Sequence, residues 1–152
     1  MRSHFHAGTV LLPVLMELAA CAAPASLSPP ALELSAVDAY EISQRGDLLI
    51  LDIRPKRERD RDGAPLGVRS IPYPDNYNQR EEFVSAVLVQ TNSDRDRPIA
   101  LICSRGVASR AAQNLLLRAS FRAVHTIKGG FLGDEIDPGW NQWGLPVDRT
   151  SQ

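Results

Sequence analysis

Cys103 is the residue in this chain best placed for chemistry. It follows the apolar run Ile99-Ala100-Leu101-Ile102 and precedes Ser104-Arg105-Gly106-Val107-Ala108-Ser109-Arg110, after which a helical pattern begins. A cysteine between a strand end and a helix start meets free backbone N–H groups and the positive end of the helix dipole. Both favour thiolate, the nucleophilic form, over thiol. Gly106 allows the backbone to curl so that several N–H groups aim at one point, and such a cradle binds anions. Arg105 and Arg110 add positive charge. A thiolate in an anion cradle suits a small oxyanion that is electrophilic at sulfur, phosphorus or arsenic. The catalytic candidate is therefore Cys103, and the substrate-binding candidates are Ser104, Arg105, Gly106, Val107, Ala108 and Ser109, with Arg110 in support.

The elements that must position this loop are legible as patterns. Ser35-Ala36-Val37-Asp38 starts a helix, with Ser35 as its cap, that runs to about Gln44. Leu48 to Leu51 reads as a buried strand ending in Asp52-Ile53-Arg54-Pro55. Residues 56–62 (KRERDRD) are a charge run, expected as a solvated loop or a helical turn. Val68 to Ile71 is a short strand stopped by Pro72 and Pro74. Glu81 to Gln90 has apolar residues at helical spacing. Pro98 to Ile102 is a second buried strand, Ala108 to Ala119 a helix, and Ala123 to Ile127 a third strand. Alternation with helix-length spacers predicts an α/β fold, a mostly parallel sheet with helices on both faces. Functional crevices of such sheets lie at the carboxyl ends of the strands, where Cys103 falls.

Composition sets the outer bounds. The 152 residues are 43% hydrophobic and 23% charged, with 17 basic and 18 acidic side chains and a net charge of −1. That is one domain's worth of chain, too apolar for a disordered one. The charge balance excludes a dominant nucleic-acid footprint. Two cysteines, Cys21 and Cys103, and three histidines exclude a disulfide framework and a Cys/His zinc site. His125 reads as a core residue of its strand. At least one of Trp140 and Trp143 is expected to pack on the core. Asp134, Glu135 and Asp137 read as a solvated loop.

The N-terminus has its own pattern. Arg2, the apolar stretch Ala7 to Met16 and then Leu18-Ala19-Ala20-Cys21 resemble an export signal closed by a bacterial lipobox. Residues 1–20 are expected to be the signal and Cys21 the lipidation site. Residues 21–31, rich in Pro, Ala and Ser, are the expected tether. The domain would then sit on the periplasmic side of a membrane, held by a lipid anchor. The alternative is a cytoplasmic protein with an N-terminal arm.

Several segments together resemble the rhodanese (sulfurtransferase) family. Cys103-Ser104-Arg105-Gly106-Val107-Ala108-Ser109 is similar to its active loop, Leu51-Asp52-Ile53-Arg54 to its Asp-Val-Arg motif, and Gly129-Gly130-Phe131 with Trp143-Gly144-Leu145-Pro146-Val147 to its closing signature. The matches keep the family's order and span residues 32–148. The resemblance implies a three-layer rhodanese-like fold. It implies a persulfide on Cys103, formed from a small sulfur-containing anion such as thiosulfate and passed to cyanide, a thiol or a protein thiol. No metal and no cofactor is implied. Asp52 and Arg54 would order the loop after their strand. Two departures stand out. Ala108 occupies a position that often carries Arg, and Gly63-Ala64-Pro65-Leu66-Gly67 lacks the family's histidine. With Cys21 acylated or removed, no second thiol remains to resolve the persulfide, so the acceptor must be another molecule. The other readings are a non-catalytic binding module, and a cysteine phosphatase or arsenate reductase on the same fold. The phosphatase reading requires Cys-x5-Arg for a bidentate clamp, and that position is Ser109.

Overall fold

The computed structural model of the chain describes residues 33–149. The segments read as signal and tether, residues 1–20 and 21–31 with Cys21, lie outside the described residues. Along the chain come β1 (Glu33–Leu34), α1 (Ala36–Gln44), β2 (Leu49–Asp52), α2 (Lys56–Asp62), β3 (Ala64–Pro65), β4 (Arg69–Ser70), a 3-10 turn (Tyr77–Gln79), α3 (Arg80–Gln90), β5 (Ile99–Ile102), α4 (Val107–Arg118), β6 (Val124–Ile127) and β7 (Val147–Asp148). Five strands form a parallel sheet in the order β1-β6-β5-β2-β4. β3 and β7 pair antiparallel beside it.

The continuous apolar runs have a simple cause. Successive side chains of a strand point to opposite faces, so a strand covered on both faces must be apolar at every position. In β5, Ile99 and Leu101 pack with Phe83 and Val87 of α3 and Ala112 and Leu116 of α4. Ala100 and Ile102 pack with Ala36 and Ala39 of α1 and with Phe131 and Trp140. This is the expected three-layer α/β architecture. The same alternation sends Cys103, the next odd-numbered residue, toward the α3 and α4 side, where it joins the buried cluster of Leu101.

The Ser35 cap is present. Its hydroxyl oxygen accepts the Asp38 N–H at 3.1 Å, and its O–H donates to the Asp38 carboxylate at 2.7 Å. Of the two tryptophans, Trp140 is buried beneath α1, edge-on to Tyr40, and its Nε1–H donates to the Pro146 carbonyl at 3.0 Å. Trp143 is half exposed. His125 is buried within β6.

One stretch resolves more sharply than its sequence. The charge run 56–62 forms α2, a full helix that buries none of its own residues. Pro55 starts it, and Lys56 pairs with Asp60 one turn on, Nζ to Oδ2 at 2.7 Å. Of the four two-residue strands, β1, β3 and β7 leave no periodic signal in the sequence. β1 nevertheless extends the sheet beyond β6, with Glu33 in register with Thr126.

Strand order places the crevice. After β2 the chain leaves toward the β4 edge, whereas after β5 it leaves through α4 toward β6. Where neighbouring strands send their loops in opposite directions, the carboxyl ends open a cleft. β2 and β5 are such neighbours, paired over Leu49–Ile99 to Asp52–Ile102.

Candidate active site

A cleft of about 290 Å³ opens at those ends. Its walls come from the turn after β2 (Ile53, Arg54, Pro55), from α2 (Arg57, Glu58), from the loop after β4 (Tyr73, Asp75) and from the loop after β5. That last loop contributes Cys103, Ser104, Arg105, Val107 and Ala108.

Cys103 is buried, 4% exposed, and lines this cleft. The Gly106 N–H donates to Sγ at 3.1 Å. Gly106 stands at φ +87° as the residue before α4, a left-handed conformation that a side chain would strain. That twist turns its N–H back onto the sulfur three residues earlier. The Cys103 thiol donates to Ser109 Oγ at 3.5 Å, and the Ser109 hydroxyl donates in turn to the Gly106 carbonyl at 2.8 Å. Ser109 is fully buried on the inner face of α4. It ties sulfur and loop together.

The loop is gripped from behind. The Cys103 carbonyl accepts the Phe131 N–H at 2.8 Å, and the Ser104 carbonyl accepts the Leu132 N–H at 2.9 Å. The segment 129–132 thus backs the sulfur-bearing turn as a short ladder of backbone bonds.

Asp52 and Arg54 form a buried pair, 0% and 1% exposed. Arg54 Nη2 lies 2.7 Å from Asp52 Oδ2, and Arg54 Nε lies 3.1 Å from Oδ1. The Asp52 carboxylate also accepts the Arg54 backbone N–H at 2.9 Å. Nη2 donates further to the Gly63 carbonyl at 2.9 Å, which ties down the end of α2. The guanidinium stacks 3.9 Å over the Phe131 ring. The pair therefore joins the turn after β2, the end of α2 and the segment that backs Cys103.

The structure brings Ser104, Arg105, Val107 and Ala108 to the cleft, with Gly106 and Ser109 bonded around the sulfur. Ser104 faces a partner its sequence does not announce, because its hydroxyl donates to the Glu58 carboxylate of α2. Arg110 goes elsewhere. Its Nη2 pairs with Glu33 at 2.8 Å, and it lines a different cavity with Lys128, Asp134 and Asp137. It adds no charge to the walls of the Cys103 cleft. Arg57, Glu58, Tyr73 and Asp75 are the cleft residues that sequence reasoning missed. The available signals were weak: Glu58 is one charge among seven, and Tyr73 and Asp75 flank Pro74.

Asp134 closes its own turn. Its Oδ1 accepts the N–H groups of Asp137 and Ile136, each at 2.8 Å, and these bonds hold its carboxyl below the usual carboxylate range. Among the described residues, no group of three His, Cys, Asp or Glu side chains comes together as a metal site would need.

Replacing Ser109 with alanine is expected to cost about 1 kcal/mol, the usual net value of a buried hydroxyl bond. Denaturant unfolding reads the loss. A change well below that figure would mean that the hydroxyl bonds do not tie the loop.

Residues 35–135 match the family model described as rhodanese-like domain. The chain is 30% identical over 121 residues to a thiosulfate sulfurtransferase of Haemophilus influenzae, covering 80% of this chain and 98% of that protein. It is 35% identical over 57 residues to a thiosulfate sulfurtransferase of Actinobacillus pleuropneumoniae, covering 38% of this chain and 47% of the other. That match spans about half the relative's length. Among solved structures, a protein of M. tuberculosis overlays with a TM-score of 0.60 at 19% identity, covering 77% of this chain and 96% of that one. The polysulfide-sulfur transferase homodimer of Wolinella succinogenes overlays with a TM-score of 0.58 at 22% identity, covering 77% of each chain. At those identities the overlays speak to the fold alone.

Proposed function

The chain belongs to the rhodanese-like domain family, and on that premise we propose that it is a sulfurtransferase working through a persulfide on Cys103. The observation that carries this reading is the Cys103 sulfur at the floor of the cleft, held at 3.1 Å by the Gly106 N–H at the start of α4. The sulfurtransferase names of the relatives support it.

The Cys103 thiolate attacks the outer sulfur of the donor. With thiosulfate, the new S–S bond forms on Cys103 as the old one breaks, and sulfite leaves with the bond's electron pair. The anionic outer sulfur then lies near the Gly106 N–H and the start of α4, where a donor N–H and the helix dipole stabilise negative charge. A thiophilic acceptor, cyanide or a thiol, attacks that outer sulfur, and Cys103 returns as thiolate. This is covalent catalysis in two half-reactions, with ping-pong kinetics. Ser109 and Gly106 hold the sulfur in place. Asp52 and Arg54 hold the walls and touch no reacting atom. The sequence of residues 1–31 supports a location outside the cytoplasmic membrane, tethered by lipid at Cys21.

The test is intact mass spectrometry of the full chain before and after thiosulfate. The expected result is a gain of one sulfur, about 32 Da, that cyanide or a thiol removes and that Cys103→Ser lacks. The control retains Cys21, so an adduct there would survive it. No adduct from thiosulfate or from an organic persulfide would overturn the reading.

A further inference from the structure

A donor anion entering the cleft meets a charge pattern that its loop sequence alone would not suggest. Of the five charged side chains lining it, Arg54 is matched by Asp52 at 2.7 Å. The remaining four are Arg57 and Arg105 against Glu58 and Asp75, with no net charge. Arg110, which would have tipped the balance, is spent on Glu33. The cleft is thus no cationic bowl for a dianion.

Glu58 takes part twice. Its carboxylate sits in the wall beside Cys103, where its field opposes an approaching negative charge. It also accepts the Ser104 O–H. A serine hydroxyl has one proton to give. Ser104, in the turn that follows the sulfur, therefore has none left to offer a donor oxyanion. Both effects weaken the site for a dianion more than for a donor of low net charge.

Granted that Cys103 takes up a sulfane sulfur as proposed above, we infer that Glu58 is a specificity-determining residue, selecting organic persulfides of low net charge over thiosulfate. With such a donor, the Cys103 thiolate attacks the outer sulfur of the ionised persulfide, R–S–S⁻. The S–S bond breaks and R–S⁻ leaves with its electron pair. Cys103 becomes the persulfide, and the negative charge stays on the transferred sulfur. No outside oxidant or reductant is required.

The experiment compares the full chain with Glu58→Gln. The amide oxygen of glutamine can still accept the Ser104 hydroxyl, so the substitution removes charge and leaves the contact. Formation of the Cys103 persulfide is timed by mass spectrometry with two donors. One is thiosulfate, a dianion. The other is cysteamine persulfide, whose ammonium offsets its anionic sulfur. In the native chain, cysteamine persulfide should react faster. Glu58→Gln should speed the thiosulfate reaction about tenfold, the order expected when one unit charge near a protein surface is removed from the path of another. The cysteamine persulfide rate should stay within about twofold. Added salt should raise the thiosulfate rate of the native chain relative to that of the variant, because it screens the carboxylate. A merely structural Glu58 would shift both donors together and show no such salt response. Equal rates in both proteins, or equal changes for both donors, would overturn the assignment of Glu58. If the native chain forms no persulfide from either donor, the sulfurtransferase reading itself falls, and the role of Glu58 with it.

Discussion

Replacing Arg54 with methionine is expected to lower the stability of the fold by about 3–5 kcal/mol, the usual cost of removing one partner from a buried ion pair. The carboxylate of Asp52, 0% exposed, would lose its Nε and Nη2 donors and keep only a backbone N–H. The Gly63 carbonyl and the Phe131 ring would lose their contacts as well. Lysine would not rescue the site, because a single ammonium cannot reproduce a planar fork that serves a carboxylate and a carbonyl together. The double variant Asp52→Leu, Arg54→Met should recover most of the loss, since two apolar groups leave no buried charge behind. Denaturant unfolding of Arg54→Met, Asp52→Leu and the double variant closes the cycle. A loss below about 1 kcal/mol for Arg54→Met would mean that the pair behaves as a surface one.

Gly130→Ala carries the second large effect, and it falls on the candidate site. A Cβ at this position would lie 2.3 Å from the Cys103 carbonyl oxygen and 2.9 Å from the Arg105 nitrogen. Both atoms are backbone, so no side chain can swing aside to make room. The residue also stands at φ +59°, where an L side chain costs about 1–2 kcal/mol by itself. Relief requires the loop and the segment behind it to part. That would break the Phe131 to Cys103 and Leu132 to Ser104 backbone bonds. The expected loss is at least about 3 kcal/mol, from the conformational term plus one or two orphaned bonds. The rate of persulfide formation should fall with it. Gly144→Ala is the control, because it shares a positive φ but has no atom within 4 Å of the added carbon. Equal unfolding losses for the two variants would show that the loop yields freely, contrary to the close contact described here.

The sequence made the two buried strands and the sulfur-bearing turn legible. Leu48 to Leu51 and Ile99 to Ile102 are apolar at successive positions, a pattern demanded by a sheet covered on both faces. Cys103 and Gly106, at a spacing of three, announce a turn at a helix start, and the structure holds them together at 3.1 Å. The Ser35 cap followed from a short-range rule and appears where that rule places it. Asp52 and Arg54 were visible as a motif, yet nothing local distinguishes a buried pair from a surface one. Their burial depends on Phe131 and Gly63, which are 77 and 9 residues from Arg54 along the chain.

What the sequence determined by itself is thus what adjacent residues settle among themselves: which runs are strands, where helices begin and which turn holds the sulfur. Only the tertiary structure decided the charge of the cleft. It turned Arg110 toward Glu33 of β1, a two-residue strand with no periodic signal. It folded a stretch of seven charges into α2 and set Glu58 against Ser104, 46 residues away. The physical reason is range. Periodicity and capping act over a few residues. The field at Cys103 sums side chains that only strand order and helix direction bring within reach of one another.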